Sequence, residues 1–162
     1  MAGGRAVTAH RGTILVEDAE VLSHTPFSGE QWVLRVRAPG VAKRAQPGTF
    51  AHLTCDPALP MRRPLSIMRA SVDEGWVEFL YKVLGEGTRL LSLRKTGEPI
   101  SVMGPIGNPF RLHAEHPRTL LMGGGVGIPP MVFLADTIRR DRAAGWKPLV
   151  LMGSEVPFPF PA

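Results

Sequence analysis

Thr119-Leu-Leu-Met-Gly-Gly-Gly-Val-Gly-Ile-Pro-Pro130 is where the character of the chain changes. A short apolar run, residues 119–122, leads into a glycine cluster and then two prolines. An amphipathic stretch, residues 131–143, follows, and beyond Gly145 and Pro148 comes a second apolar run, residues 149–152. Strand, glycine turn, helix and strand in that order describe one βαβ unit, whose strands are expected to be parallel. The chain stops soon afterwards, in Pro157-Phe-Pro-Phe-Pro161. One βαβ unit cannot complete an open sheet covered on both faces, so residues 113–162 are expected to be the start of an α/β domain in a truncated or unusually short chain.

Upstream the pattern is different. Residues 13–22 and Gln31–Arg37 read as strands separated by the turn-rich His24-Thr-Pro-Phe-Ser-Gly29, and Trp32, Leu34 and Val36 share one face of the second. Residues 49–54, 63–69, 76–83 and 99–103 are further strand candidates, each bounded by Gly, Pro or Asp. Only residues 88–93 read as helical among them. Six short strands in succession predict a closed antiparallel Greek-key barrel over residues 1–112. The composition agrees: 18 glycines and 16 prolines in 162 residues favour short elements and tight turns, while 44% hydrophobic content supplies a core.

The formal charge of +5 is spread along the chain in short pairs such as Arg62-Arg63 and Arg139-Arg140. A phosphate-bearing small ligand therefore fits better than a nucleic acid. The single cysteine, Cys55, excludes an internal disulfide and any all-cysteine cluster within these residues, and reads as a buried, inert thiol. No run of eighteen apolar residues and no basic-then-apolar leader is present, so a cytoplasmic protein without a membrane span is expected.

Three motifs carry chemistry. In Arg62-Arg-Pro-Leu-Ser-Ile67 an arginine on a strand offers a planar fork of donors to a pyrophosphate, with a hydroxyl three residues on; a solvated strand edge would look the same. Gly85-Glu-Gly-Thr88 lets backbone approach a phosphate, with Thr88 placed to cap the next helix; an ordinary capped turn is the alternative. Gly123-Gly-Gly-Val-Gly127, between strand and helix, would seat a dinucleotide against the helix start, although its spacing is not the usual dehydrogenase fingerprint.

In order and spacing, Arg62-Arg-Pro-Leu-Ser-Ile67, Val83-Leu-Gly-Glu-Gly-Thr88, Met103-Gly-Pro-Ile-Gly-Asn-Pro-Phe110 and Met122-Gly-Gly-Gly-Val-Gly-Ile-Pro-Pro-Met131 resemble the ferredoxin-reductase-like flavoprotein family. Within it they look most like the electron-transfer subunits of dihydroorotate dehydrogenases, from about residue 12 to residue 156. The resemblance implies electron transfer between FAD and NAD(P), with the flavin performing the chemistry. Arg63 then neutralises an FAD phosphate and Ser66 lies near flavin N5. Pro64 and Leu65 face the isoalloxazine, the backbone of Tyr81, Lys82 and Val83 lines it, and Gly85, Gly87 and Thr88 form the pyrophosphate loop.

Gly123, Gly124, Gly125, Gly127 and Pro129 match the nicotinamide-nucleotide motif, and Ser154 and Glu155 fall on the adenosine side. A carboxylate at Glu155 would lean toward NAD, because it accepts from ribose hydroxyls and repels a 2′-phosphate. His52, His113 and His116 receive no catalytic role. The resemblance also implies a catalytic dehydrogenase subunit or other redox protein as partner, in a dimer or heterotetramer, and a two-iron two-sulfur cluster whose cysteines these residues do not contain. Two alternatives stay open at this point: a reductase for ferredoxin, an oxygenase or a hydrogenase, and, from another class, a non-redox binding module built on a barrel.

Overall fold

The structure, a computed structural model, describes residues 14–113, 118–140 and 148–156. Six strands, β1 (Leu15–Phe27), β2 (Gln31–Arg37), β3 (Phe50–Leu53), β4 (Arg63–Ser71), β5 (Trp76–Lys82) and β6 (Pro99–Ile106), close into a barrel in the order β1-β2-β5-β4-β3-β6. All its ladders are antiparallel. Leu34 and Val36 point into the core and Trp32 packs against it, the face expected from their alternation. With Phe79, Leu53, Ile67 and Val102 they leave the barrel interior filled with side chains rather than hollow.

β1 is longer than the sequence suggests. It runs through His24 to Phe27, and the reversal is compressed into Ser28-Gly29-Glu30, with Gly29 and Glu30 at positive φ. Pro26 fits inside the strand because the β6 ladder covers only Leu15 to Glu20. Beyond that point β1 has one neighbour, and a missing donor on its free side costs nothing.

The expectation of a single helix within the barrel region is corrected by α1 (Pro39–Arg44). Its start is stabilised from far away: the Glu17 carboxylate on β1 accepts from the amides of Gly40 (2.9 Å) and Val41 (2.6 Å). No local pattern could announce a cap lying more than twenty residues upstream. The expected helix, α2 (Glu86–Ser92), begins two residues early, with Gly85 as its N-cap.

The βαβ unit consists of β7 (Leu120–Gly124), a 3-10 turn (Gly125–Gly127), α3 (Ile128–Arg140) and β8 (Leu149–Gly153), with β7 and β8 parallel. β7 absorbs the first two glycines of the cluster. α3 starts three residues before residue 131, because Pro129 and Pro130 occupy its first turn, where a backbone N–H has no acceptor to lose. Residues 141–143, expected in this helix, lie outside the described residues.

α3 packs on the barrel. Ile128 and Val132 share an apolar cluster with Val33, Met68 and Leu80, against which Met152 of β8 also packs. Above it runs a charged link. Buried Glu78 accepts from Arg35 (2.7 Å) and Arg69 (3.3 Å), and Arg69 donates to Asp136 of α3 (2.9 Å). Glu78 is tolerable inside because both its oxygens are paired.

Candidate cofactor and nucleotide site

The β4–β5 ladder stops at Ile67↔Phe79, although both strands continue. β4 goes on pairing with β3 through Arg63, and β5 with β2 through Lys82. The two strands therefore part like an open V, one arm carrying Arg63-Pro64-Leu65-Ser66 and the other Leu80-Tyr81-Lys82. Ser66 is half-buried opposite Phe50, Leu65 packs partly on the core, and Pro64 is exposed.

The two arginines at the start of β4 have opposite fates. Arg62 is committed to bracing: its guanidinium donates to the carbonyl oxygen and to Oγ of Ser101, each at 3.0 Å. Among the described residues Arg63 reaches only the carbonyls of Met61 (3.2 Å) and Arg62 (3.5 Å), and no carboxylate pairs with it. It lies against the start of α2. A Cβ on Gly87 would sit 2.5 Å from Arg63 Nε, whereas one on Gly85 would meet nothing within 4 Å. Gly87 thus packs directly against the guanidinium end of Arg63, and Gly85 faces open space.

Thr88 is not the N-cap expected from the sequence. From the third helical position its Oγ1 accepts from the amides of Leu84 (3.0 Å) and Gly85 (3.2 Å) and donates to the Gly85 carbonyl (3.1 Å). It shapes the loop by reaching back along it. Val83 is turned inward: it packs against the core, and its amide donates to Glu30 O at 3.0 Å.

A cleft of about 590 Å³ lies between the barrel and the βαβ unit. Gln31, Leu80, Tyr81, Lys82 and Leu84 line one wall, and Gly125, Val126, Pro129, Gly153, Ser154, Glu155 and Val156 line the other. Gly125 has φ +51°, and Gly123 permits a tight strand-to-helix turn, since a Cβ there would lie 3.1 Å from the Gly127 carbonyl and from Ile128 Cα. Gly123, Gly124 and Gly127 belong to the same turn without lining the cleft. The residues singled out by sequence thus fall into two neighbouring groups, one around Arg63 and Gly87, the other in the cleft. Tyr81 and Lys82 line the cleft, while Leu84 joins the groups by lining it and donating to Thr88.

Sequence reading missed His24. Its ring hydrogen-bonds Tyr81 Oη (2.8 Å) and the Arg94 carbonyl (2.9 Å), partners 57 and 70 residues away, so no local signal marks it. Burial pulls its pKa below 6.5, opposed by the bond to Arg94, and burial, then the neighbouring Cys55, pushes the Tyr81 phenol up. Cys55 is buried and its pKa is raised, first by burial, so it is a poor nucleophile, as its lone occurrence suggested. Among the described residues no group of His, Cys, Asp and Glu is arranged to hold a metal, and no helix is long and apolar enough to cross a membrane.

An antiparallel barrel that opens beside an arginine and a glycine loop, followed by a glycine-turned βαβ unit, defines a flavoprotein-reductase architecture. By fold and sequence the chain is similar to ferredoxin-reductase-like flavoproteins. Among solved structures it superposes on an NADH-dependent reduced ferredoxin-NADP oxidoreductase with a TM-score of 0.77 and 29% identity, over 87% of this chain and 50% of that one. A ferredoxin reductase of carbazole 1,9a-dioxygenase gives 0.71 and 23%, over 90% and 46%, a likeness of fold.

Its sequence relatives include electron transfer subunits of dihydroorotate dehydrogenase B (NAD(+)). That of Desulforamulus reducens is 36% identical over 127 residues, 76% of this chain and 48% of the relative. That of a Geobacillus species is 38% identical over 128 residues, 75% and 49%, and that of Caldanaerobacter subterraneus 35% over 132 residues, 80% and 51%. The chain thus spans about half the length of the curated relatives it matches. No protein-family profile matches it.

Proposed function

We propose that the chain is the FAD-binding part, with the opening of the NAD(P)-binding part, of an electron-transfer subunit serving an NAD-dependent dihydroorotate dehydrogenase. The observation that carries this reading is the parting of β4 from β5 beside Arg63 and Gly87, continuous through Leu84 with the cleft. The residues fit an FAD. Arg63 is a cation that no carboxylate pairs with among the described residues, placed for a phosphate. The loop of Gly85, Gly87 and Thr88 leaves room beside it, and the arms of the V present Pro64, Leu65 and Ser66 on one side and the backbone of Tyr81, Lys82 and Val83 on the other. Bound FAD would supply the hydride and single-electron chemistry.

Gly123, Gly124, Gly125, Gly127 and Pro129, with Ser154 and Glu155 across the cleft, would receive the nicotinamide nucleotide, and Glu155 favours NAD over NADP. We place the boundary between the two domains at residue 112. The reading carries with it a cytoplasmic location, a catalytic dehydrogenase subunit as partner and assembly as a dimer or heterotetramer. Cys55 is a single buried thiol, so these residues do not supply the ligands of a two-iron two-sulfur cluster. The likeness to the ferredoxin-NADP oxidoreductase supports a second reading, a reductase for another redox protein.

The test is direct. The purified protein is expected to show flavin absorption in the visible blue, or to acquire it on adding FAD. Arg63→Ala should weaken FAD binding by about 1.5–3 kcal/mol, the worth of a charge-assisted bond. A colourless protein that refuses added FAD would support a non-redox binding module instead.

A further inference from the structure

The proposed site uses only the backbone of Tyr81 and leaves unused a polar cluster formed by the side chains of His24 on β1 and the buried Tyr81 on β5 with the backbone carbonyl of Arg94, two residues past the end of α2. A carbonyl can only accept, so His24 Nδ1 carries the proton in that bond. Burial keeps the ring neutral, hence Nε2 accepts and the Tyr81 hydroxyl donates. Trp32 packs on the imidazole with ring centroids 4.7 Å apart. Arg94 is itself pinned, its guanidinium donating to the Cys55 carbonyl (3.0 Å) and pairing with Asp56 (3.4 Å) and Glu98 (3.6 Å).

We propose that His24 is a positioning residue of the flavin site, which fixes α2 relative to β5 by joining Arg94 to Tyr81. The inference rests on the FAD reading above. β5 and α2 are joined along the chain by Val83-Leu84-Gly85, of which Leu84 and Gly85 are exposed, and Leu91 anchors α2 in the barrel core; the short link does not by itself determine the angle between strand and helix. Thr88 closes the near end of the joint and His24 closes the far end. The strand lines the isoalloxazine seat and the helix opens from the pyrophosphate loop. FAD spans both, while riboflavin, which has no phosphate, uses the strand alone. Loosening the joint therefore penalises FAD and spares riboflavin.

The experiment titrates wild type, Tyr81→Phe, His24→Asn and His24→Gln with FAD and with riboflavin by flavin fluorescence, alongside thermal melts without flavin. Asn retains a donor near the position of Nδ1 and Gln an acceptor near that of Nε2, so each keeps one bond and loses the other. Each variant is expected to bind FAD about tenfold more weakly than wild type and riboflavin within about twofold, as loss of one half-buried hydrogen bond in the joint requires. Equal losses for the two flavins, or wild-type FAD affinity in folded variants, would overturn the assignment. Tyr81→Phe removes a single oxygen and decides the matter even where a His24 variant fails to fold. Wild type that binds neither flavin would remove the FAD reading and this inference together, whereas wild type and variants binding FAD equally would remove the inference alone.

Discussion

The six-stranded barrel and the β7–β8 pair are built from similar apolar strands and end in different states. In the barrel every strand has a neighbour on each side, and Val21, Leu34, Leu53, Phe79 and Val102 are sealed in a common interior. β7 and β8 pair only with each other among the described residues. One face of that pair is covered by Leu134 and Ile138 of α3, while Leu120, Met122, Leu149 and Leu151 on the other are exposed. A closed antiparallel sheet completes its own hydrogen bonding and core, whereas a parallel sheet needs cover on both faces. Barrel stability is therefore internal, and the βαβ unit leans on the barrel through α3.

The largest expected effect breaks this contrast at its centre. Phe79→Ala should destabilise the protein by about 3–5 kcal/mol, while Leu120→Ala on the open face should change stability by no more than about 0.5 kcal/mol. Urea melts of the two variants measure it, and comparable losses would show that the β7–β8 pair belongs to the same cooperative core. Next is the link between the regions. Asp136→Ala deprives Arg69 of its α3 partner and should cost about 1.5–3 kcal/mol, read by hydrogen exchange as faster opening of α3 with β2 and β5 still protected.

The glycines sharpen the comparison at the level of ligands. Gly87→Ala pushes on Arg63 and should weaken FAD binding several-fold, whereas Gly125→Ala, strained at φ +51° by about 1–2 kcal/mol, should impair the nucleotide cleft and spare the flavin. Paired titrations with FAD and NADH distinguish them.

The smallest effect is pH dependence. His24 has a folded pKa below its unfolded 6.5, so between those values the unfolded chain binds the extra proton. Stability should fall as pH drops from about 6.5 toward the folded pKa, and the slope should flatten in His24→Gln. Thermal melts of the two proteins across that window check the sign, which must concern the barrel and leave the exchange of β7 and β8 no more pH-sensitive than in wild type.

Six barrel strands and the βαβ order were legible in the sequence because each is a local event: period-two alternation in Gln31–Arg37, Gly, Pro or Asp bounding the further strand candidates, a change of pattern at residue 119. Motif order then grouped Arg63 with residues 85–88 and the glycine cluster with Ser154 and Glu155. Three features could not be read this way. α1 takes its cap from Glu17, β1 runs through Pro26 because β6 ends beside Glu20, and His24 acquires its role from Tyr81 and Arg94.

Sequence alone determined the six barrel strands, α2 and the βαβ order, where backbone needs glycine, and which family the motifs resemble. Tertiary structure decided that Arg62 is used for bracing while Arg63 stands beside Gly87, that β4 and β5 part at Ile67, and that a histidine joins strand to helix. The physical reason is range. Propensity and periodicity act over a few residues, whereas capping carboxylates, ladder ends and hydrogen-bond partners are set by closure of the barrel, which brings together groups twenty to seventy residues apart.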